Sequence, residues 1–197
     1  MKSIGWKKGF IILPVVVAGC VQAQCVYVTD STYVHMFSEE IVEDIDAYST
    51  KMVGAWNICT GKVFFKLPAA SFIFANSLMG EHYREQYMET HKYPFIEFRG
   101  KMEVDSSTAK RSDGKSVEYR ATATGTFKIH GVEREKRVPG TIRVVNDSLI
   151  VGRAVFWMVP TDYGIRQPAM LGIEAADSVR ITLWFRMVPY RKKPTSK

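Results

Sequence analysis

The chain has 197 residues, 46% of them hydrophobic and 12% aromatic, with 27 Lys and Arg against 20 Asp and Glu. That length fits one domain with a real core. Lys2, Lys7 and Lys8 and the basic end "RKKPTSK" hold the positive excess, so the body is close to neutral and nucleic acid is not an expected partner.

The opening "MKSIGWKKG" is basic, and "FIILPVVVAG" comes next as a short apolar run with a proline inside it. The run is too short to cross a bilayer and has the three-part layout of an export signal. Two processing sites compete. Val21-Gln22-Ala23 offers the small residues of ordinary cleavage, which would leave Gln24 first. Val17 to Cys20, "VAGC", resembles a bacterial lipobox, whose Cys20 would be lipidated and attach the chain to a membrane. Residues 1–23 are therefore expected to be an export signal, or a lipoprotein signal ending before Cys20, with the periplasm as destination. Residues 24–188 would be the folded domain and 189–197 a basic tail. Export reaches a compartment where disulfides survive. Cys25 and Cys59 are a candidate pair, their spacing makes no metal motif, and the sequence leaves open whether they meet.

Most of the chain beyond this segment reads as short strands separated by turn signals. "VYVTDSTYVHMFSE" is rich in β-branched and aromatic residues, whereas the acidic "EEIVEDIDAYST" reads as a single helical turn or a loop. "GKVFFKLPAASFIF" alternates, with Val63, Phe65 and Leu67 on one side and Phe72 and Phe74 following the bend at Pro68. "NSLMGEHYREQYMETHKYP" is the one good helix. Asn76 or Ser77 caps it, Leu78, Met79, His82, Tyr83, Gln86 and Tyr87 recur at helical spacing, and Pro94 prevents its continuation. "PFIEFRGKMEV" and "SVEYRATATGTFKI" alternate again, the second with Tyr119, Ala121, Ala123, Gly125, Phe127 and Ile129 on one face. "VPGTIRVV", "SLIVGRAVFWMV" and "DSVRITLWFRMV" complete the set, the last with Val179, Ile181, Leu183 and Phe185 together. Asp113-Gly114 and Asn146-Asp147-Ser148 suit tight hairpins; the second also matches a glycosylation sequon, which a turn explains without a glycan. About eight antiparallel strands and one short helix in one domain predict an all-β sandwich or closed barrel, and closure would remove the exposed edges.

Three stretches in order resemble the YceI-like lipid-binding family. They are "SFIFANSLMGEHYREQYMETHKYPFIEFRGKM", then "YRATATGTFKIHGVEREKRVPGTI", which is similar to the family pattern "TGxLTIHGVTKxVxVPGTI", then "TDYGI" with a last alternating strand. Each motif is weak alone; their order and spacing from about Thr60 to Phe185 make the match specific. The chain departs from the pattern at Phe127-Lys128, Glu133-Arg134, "ANS" and "FIE", which bears on the cavity's shape and the headgroup it accepts. The resemblance implies a lipocalin-like antiparallel eight-stranded β-barrel with an elongated apolar interior and a helix beside its mouth. It also implies an exported protein that holds a long-chain lipid, isoprenoid or acyl, without catalysis and without a cofactor. A homodimer is compatible with it.

The expected cavity wall is Phe65, Phe72, Phe74, Phe98, Phe127, Phe156 and Phe185, with Met79, His82, Tyr83 and Tyr87 shaping one end. The alternation alone fits a packed core equally well, which would make this an envelope interaction or structural protein. His130 precedes Gly131 at the expected reversal between two strands, and no nucleophile or carboxylate stands in fixed sequence relation to it. No residue is assigned a catalytic role. His82 and Glu85, three apart on the helix, would make half a metal site, the basis of a metal-dependent hydrolase reading. A second such pair is missing, and Glu81, Glu85 and Glu89 read more simply as a solvated acidic face, so no metal is expected.

Overall fold

Period-two alternation yields ten antiparallel strands among the described residues. In chain order they are β1 (Val26–Ser38), β2 (Ile45–Ser49), β3 (Val53–Asn57), β4 (Lys62–Pro68), β5 (Ile73–Phe74), β6 (Phe95–Ser112), β7 (Ser116–Ile129), β8 (Val132–Asn146), β9 (Leu149–Met158) and β10 (Val179–Pro189). The structure, a computed structural model, describes residues 25–39, 44–112, 114–165 and 178–191. Cys20, both processing sites and the tail beyond Arg191 lie outside the described residues.

Ladders run in the order β1, β3, β4, β6, β7, β8, β9, β10, and β10 returns to β1, with Tyr27 opposite Pro189 and Phe37 opposite Arg180. The ring is therefore a closed eight-stranded antiparallel barrel. The two further strands share positions in it. β3 pairs with the first part of β1 (Val26 opposite Asn57), β2 with the second (Val34 opposite Ser49), and β5 pairs with β2. Ile45–Ser49 is thus a strand, not the helical turn or loop that its acidic flank suggests, because β1 offers it a hydrogen-bonding edge.

Closure needs sharp bending, and glycines supply it. Gly100 of β6 faces Gly125 of β7. A Cβ on Gly125 would fall 2.2 Å from the Arg99 carbonyl oxygen, so the two backbones approach as no larger residues would allow. At the next reversal His130 (φ 50°) and Gly131 (φ 77°) are the two central residues between Ile129 and Val132. Both lie in the left-handed region that two-residue hairpins require. The Asn146 turn is closed by its own side chain, whose Oδ1 accepts from the Ser148 amide at 2.8 Å.

The expected helix stops short of Pro94. Helix α1 (Ser77–His82) is capped by the Asn76 side chain, which accepts from the Leu78 and Met79 amides, and it continues as one π-helical turn, Tyr83–Tyr87. The Met88 amide donates to the Tyr83 carbonyl at 2.8 Å, closing that wider turn. Glu89 then takes φ 42°, and helical backbone ends there, well before Pro94.

One side of the ring is incomplete. β8 pairs with β7 from Val132 to Val144, but its ladder with β9 begins only at Gly140 opposite Ala154. The next residue back is Pro139, which has no N–H to donate. From there towards the helix end, Val132–Pro139 and Val155–Met158 share no ladder among the described residues. At that end a short 3₁₀ turn, Pro160–Tyr163, succeeds β9. The opposite end is tied by the Cys25–Cys59 disulfide, Cα atoms 5.5 Å apart, and by the Tyr27 hydroxyl donating to the Asp147 carbonyl at 2.7 Å.

Candidate functional site

Inward residues of the barrel wall surround a cavity of about 470 Å³. Its lining is almost wholly hydrocarbon and aromatic. Phe65, Phe98, Phe127, Phe156 and Phe185 come from β4, β6, β7, β9 and β10, Phe72 comes from the turn after β4, and Met79, His82, Tyr83 and Tyr87 come from the helix. Ten of the eleven expected positions therefore face one space.

Phe74 is the exception. It is not part of the lining; its ring packs 4.9 Å from that of Tyr83 and lies against Gly80. Phe72 and Phe74 both follow the Ala69–Ser71 turn and flank the exposed Ile73, but the helix packs on Phe74 through Gly80 and Tyr83 and separates it from the hollow.

The rings leave a hollow because two of them are drawn against the wall. Phe65 sits across from Gly54, and a Cβ there would be 2.3 Å from its ring. Phe185 sits across from Gly152 in the same way, at 2.1 Å. The two rings meet at 5.2 Å between centroids. Phe98, Phe127 and Phe156 form a second row, with centroids 4.7 and 5.7 Å apart. Between the rows the lining is small: Ala121, Ala123, Gly140 and Ala154. The sequence pattern placed Ala121 and Ala123 on one face with Phe127 but did not count them as cavity wall, and it gave Gly140 and Ala154 no role.

Polar groups gather at the helix end. Asn76, His82 and Lys66 reach the lining there, and Lys66 is held by Glu97 at 3.1 Å and lies 3.7 Å over the Phe95 ring. The Lys66 ammonium, with Arg99 beside it, keeps the Glu97 carboxyl below its ordinary range. Burial pushes the Tyr83 hydroxyl well above the ordinary tyrosine range, so it stays neutral. Glu85 is exposed while His82 faces the cavity. No group of three His, Cys, Asp or Glu fit to hold a metal occurs among the described residues.

His130 is at the strand reversal, as its sequence context suggests, but it has partners that no sequence pattern disclosed. Its Nε2 lies 2.9 Å from Glu89 Oε2 and its Nδ1 3.3 Å from the Tyr163 carbonyl, with the Tyr93 ring 4.3 Å away. Glu89 also accepts from Lys92 at 2.9 Å. Lys92, and then His130, hold the Glu89 carboxyl below its ordinary range. The histidine thus clasps the segment after the helix, the β7–β8 turn and the 3₁₀ turn around the mouth. Glu89 is therefore not part of a free acidic face with Glu81 and Glu85.

Comparison with known proteins points one way. The YceI-like domain family matches residues 27–187. A polyisoprenoid binding domain from Saccharophagus degradans superposes with a TM-score of 0.69 at 12% identity, over 83% of this chain and 98% of that one. BcnA of Burkholderia cenocepacia gives 0.60 at 15% identity, over 79% and 95%. The Campylobacter jejuni YceI protein gives 0.50 at 13% identity, over 97% and 94%. No curated protein matches the chain. With a family match across the whole barrel and the closed eight-stranded ring around an apolar hollow, the chain belongs to the YceI-like domain family.

Proposed function

We propose that this protein holds the hydrocarbon tail of a long amphiphile, isoprenoid or acyl, inside the barrel, and performs no chemistry on it. The observation that carries the reading is the lining: a continuous apolar cavity whose polar groups are few, with Asn76, His82 and Lys66 at the helix end and Thr141 and Arg153 where β8 and β9 part. Each buried methylene contributes about 0.8 kcal/mol. Against an association cost of ~4–15 kcal/mol, a tail of a few tens of carbons is retained without any charged contact. The similar domain from Saccharophagus degradans is named as polyisoprenoid binding, which agrees with this cargo class. The helix-end groups Asn76 and His82 would meet the headgroup. The N-terminal segment would export the chain to the periplasm, with Cys20 as an optional lipid anchor.

Native mass spectrometry followed by lipid extraction tests this. Protein purified after export should carry added mass that extraction recovers as a long-chain lipid. Ala123→Trp, which fills the space between the ring rows, should abolish the added mass while circular dichroism still reports a folded barrel. Wild-type protein that stays at its bare mass after incubation with polyisoprenyl phosphate and phospholipid would sink the proposal.

A further inference from the structure

The outer surface of the barrel is divided. Outward residues on β6 to β8 are mostly charged or small and polar, among them Glu97, Arg99, Lys101, Thr124, Lys128 and Glu133. The outer face of β5, β2, β1, β10 and β9 instead carries three cross-strand rows of rings and aliphatic groups. Tyr33 is opposite Trp184, which is opposite Arg153. Ile73 is opposite Tyr48, then come His35, Thr182 and Val155. Phe37 is opposite Arg180, which is opposite Trp157.

Tyr33, Tyr48, Ile73, Arg153, Val155, Trp157 and Arg180 are exposed, with His35, Phe37, Thr182 and Trp184 half-buried between them. Tyr33 and Tyr48 stack at 5.8 Å, and Arg180 lies 5.1 Å over the Phe37 ring. Val155 and Trp157 remain 55% and 56% exposed. Contiguous apolar surface of this kind marks an interaction site. The ion pairs on this face among the described residues are His35–Asp46 and Arg186–Asp30, which leaves the Arg153 and Arg180 guanidinium groups to offer outward. Tryptophan and tyrosine interleaved with arginine is the composition that suits the boundary between lipid headgroups and hydrocarbon.

The rows also end at a meaningful place. Val155 and Trp157 stand on the stretch of β9 that β8 does not pair with. Thr141 and Arg153, the outward pair where the two strands part, are among the residues that line the cavity, so the hollow reaches the outside through this seam. We propose that this aromatic and arginine face docks the barrel on an anionic lipid surface, with the β8–β9 seam turned to the lipid as a lateral path for the chain. The inference rests on the lipid-holding reading for the role of the seam, and on the face itself for docking.

The test is co-sedimentation of protein purified after export, with Cys20→Ser so that no acyl group contributes. The probes are vesicles of phosphatidylcholine with phosphatidylglycerol and vesicles of phosphatidylcholine alone. Protein should bind the anionic vesicles and be released by salt. Each basic residue near such a surface contributes about fivefold, so Arg180→Gln joined to Trp157→Thr should weaken binding at least about tenfold. Lys101→Gln joined to Lys128→Gln, on the opposite wall, should change it far less. Equal loss in both double variants, or no binding by wild type that native mass spectrometry shows to be lipid-loaded, overturns the docking surface and spares the lipid-holding reading. A dimer in light scattering that Trp157→Thr dissociates also overturns it, since a second copy would then cover the face. Vesicle binding by wild type with an empty cavity supports docking and removes the lipid-holding reading instead.

Discussion

Phe185 shows how single residues decide whether the barrel is hollow. The tip of its ring fills the gap left by Gly152, nearly inaccessible to solvent, with the Phe65 ring 5.2 Å away between centroids and Gly54 opposite Phe65. A methyl at position 152 would stand 2.1 Å from the ring, and Phe65 bars a retreat. Gly152→Ala should therefore destabilise the barrel by about 1–3 kcal/mol, the usual cost of overpacking, read as a lower denaturant midpoint. Adding Phe185→Leu should recover part of that loss, because the smaller side chain vacates the contested volume. If the double variant is merely the sum of two losses, the ring is not what the glycine accommodates. His130 is decided by its neighbours in the same way. His130→Asn keeps a residue that tolerates positive φ but cannot reach both Glu89 and the Tyr163 carbonyl. Hydrogen exchange should then quicken at the Ile165 and Gly164 amides, which close the 3₁₀ turn, and stay unchanged at the Cys25–Cys59 end.

Among the elements, β1 bears the most connections, since it pairs with β2, β3 and β10, and its start is pinned by Cys25 to Cys59 across 34 residues of sequence. A loop of that length corresponds to about 3–4 kcal/mol of lost unfolded-state entropy. Reduction, or Cys25→Ser with Cys59→Ser, should lower the unfolding free energy by up to that amount, measured by chemical denaturation with and without reductant. The strands with strict alternation were legible in the sequence: β7 appears with the bounds its pattern implied, β4 buries Val63, Phe65 and Leu67, and β10 buries Val179 and Phe185 with Ile181 and Leu183 half-buried between them. β2 was not legible, because its acidic flank says nothing about the edge β1 provides. β3, five residues with Gly54 inside, is too short to show a period. The helix was overextended because the stop signal read from the sequence was Pro94, whereas helical backbone already ends at Glu89. At the site, alternation showed which faces turn inward but not whether the inside was filled. That depended on Gly54 and Gly152 lying opposite Phe65 and Phe185, which is a matter of register.

At the scale of the molecule, three carboxylates link parts of the barrel that are distant in sequence. Asp30, at the bulge of β1, takes a two-pronged contact from Arg186 of β10 at the closing ladder. Glu97 joins β6 to Lys66 of β4, and Glu89 joins the segment after the helix to His130. Arg186 keeps Asp30 below its ordinary value of 3.8, while Lys66 and Lys92 do the same for Glu97 and Glu89 against 4.5. The unfolded chain, with ordinary carboxyl groups, therefore binds more protons than the folded one as the medium acidifies. Stability tracks that difference: it is full above about pH 5 and declines as pH falls through the folded-state values. Denaturant midpoints taken from pH 7 down to pH 3 should hold level and then drop below about pH 5. Asp30→Asn joined to Arg186→Met should start lower at neutral pH and fall less steeply, because one of the three proton-linked contacts is gone. Salt should shrink the neutral-pH gap between the two proteins, since these pairs are partly exposed and screened. An acid limb as steep in the double variant as in wild type would mean that the β1–β10 closure is held by its ladder and inward packing alone.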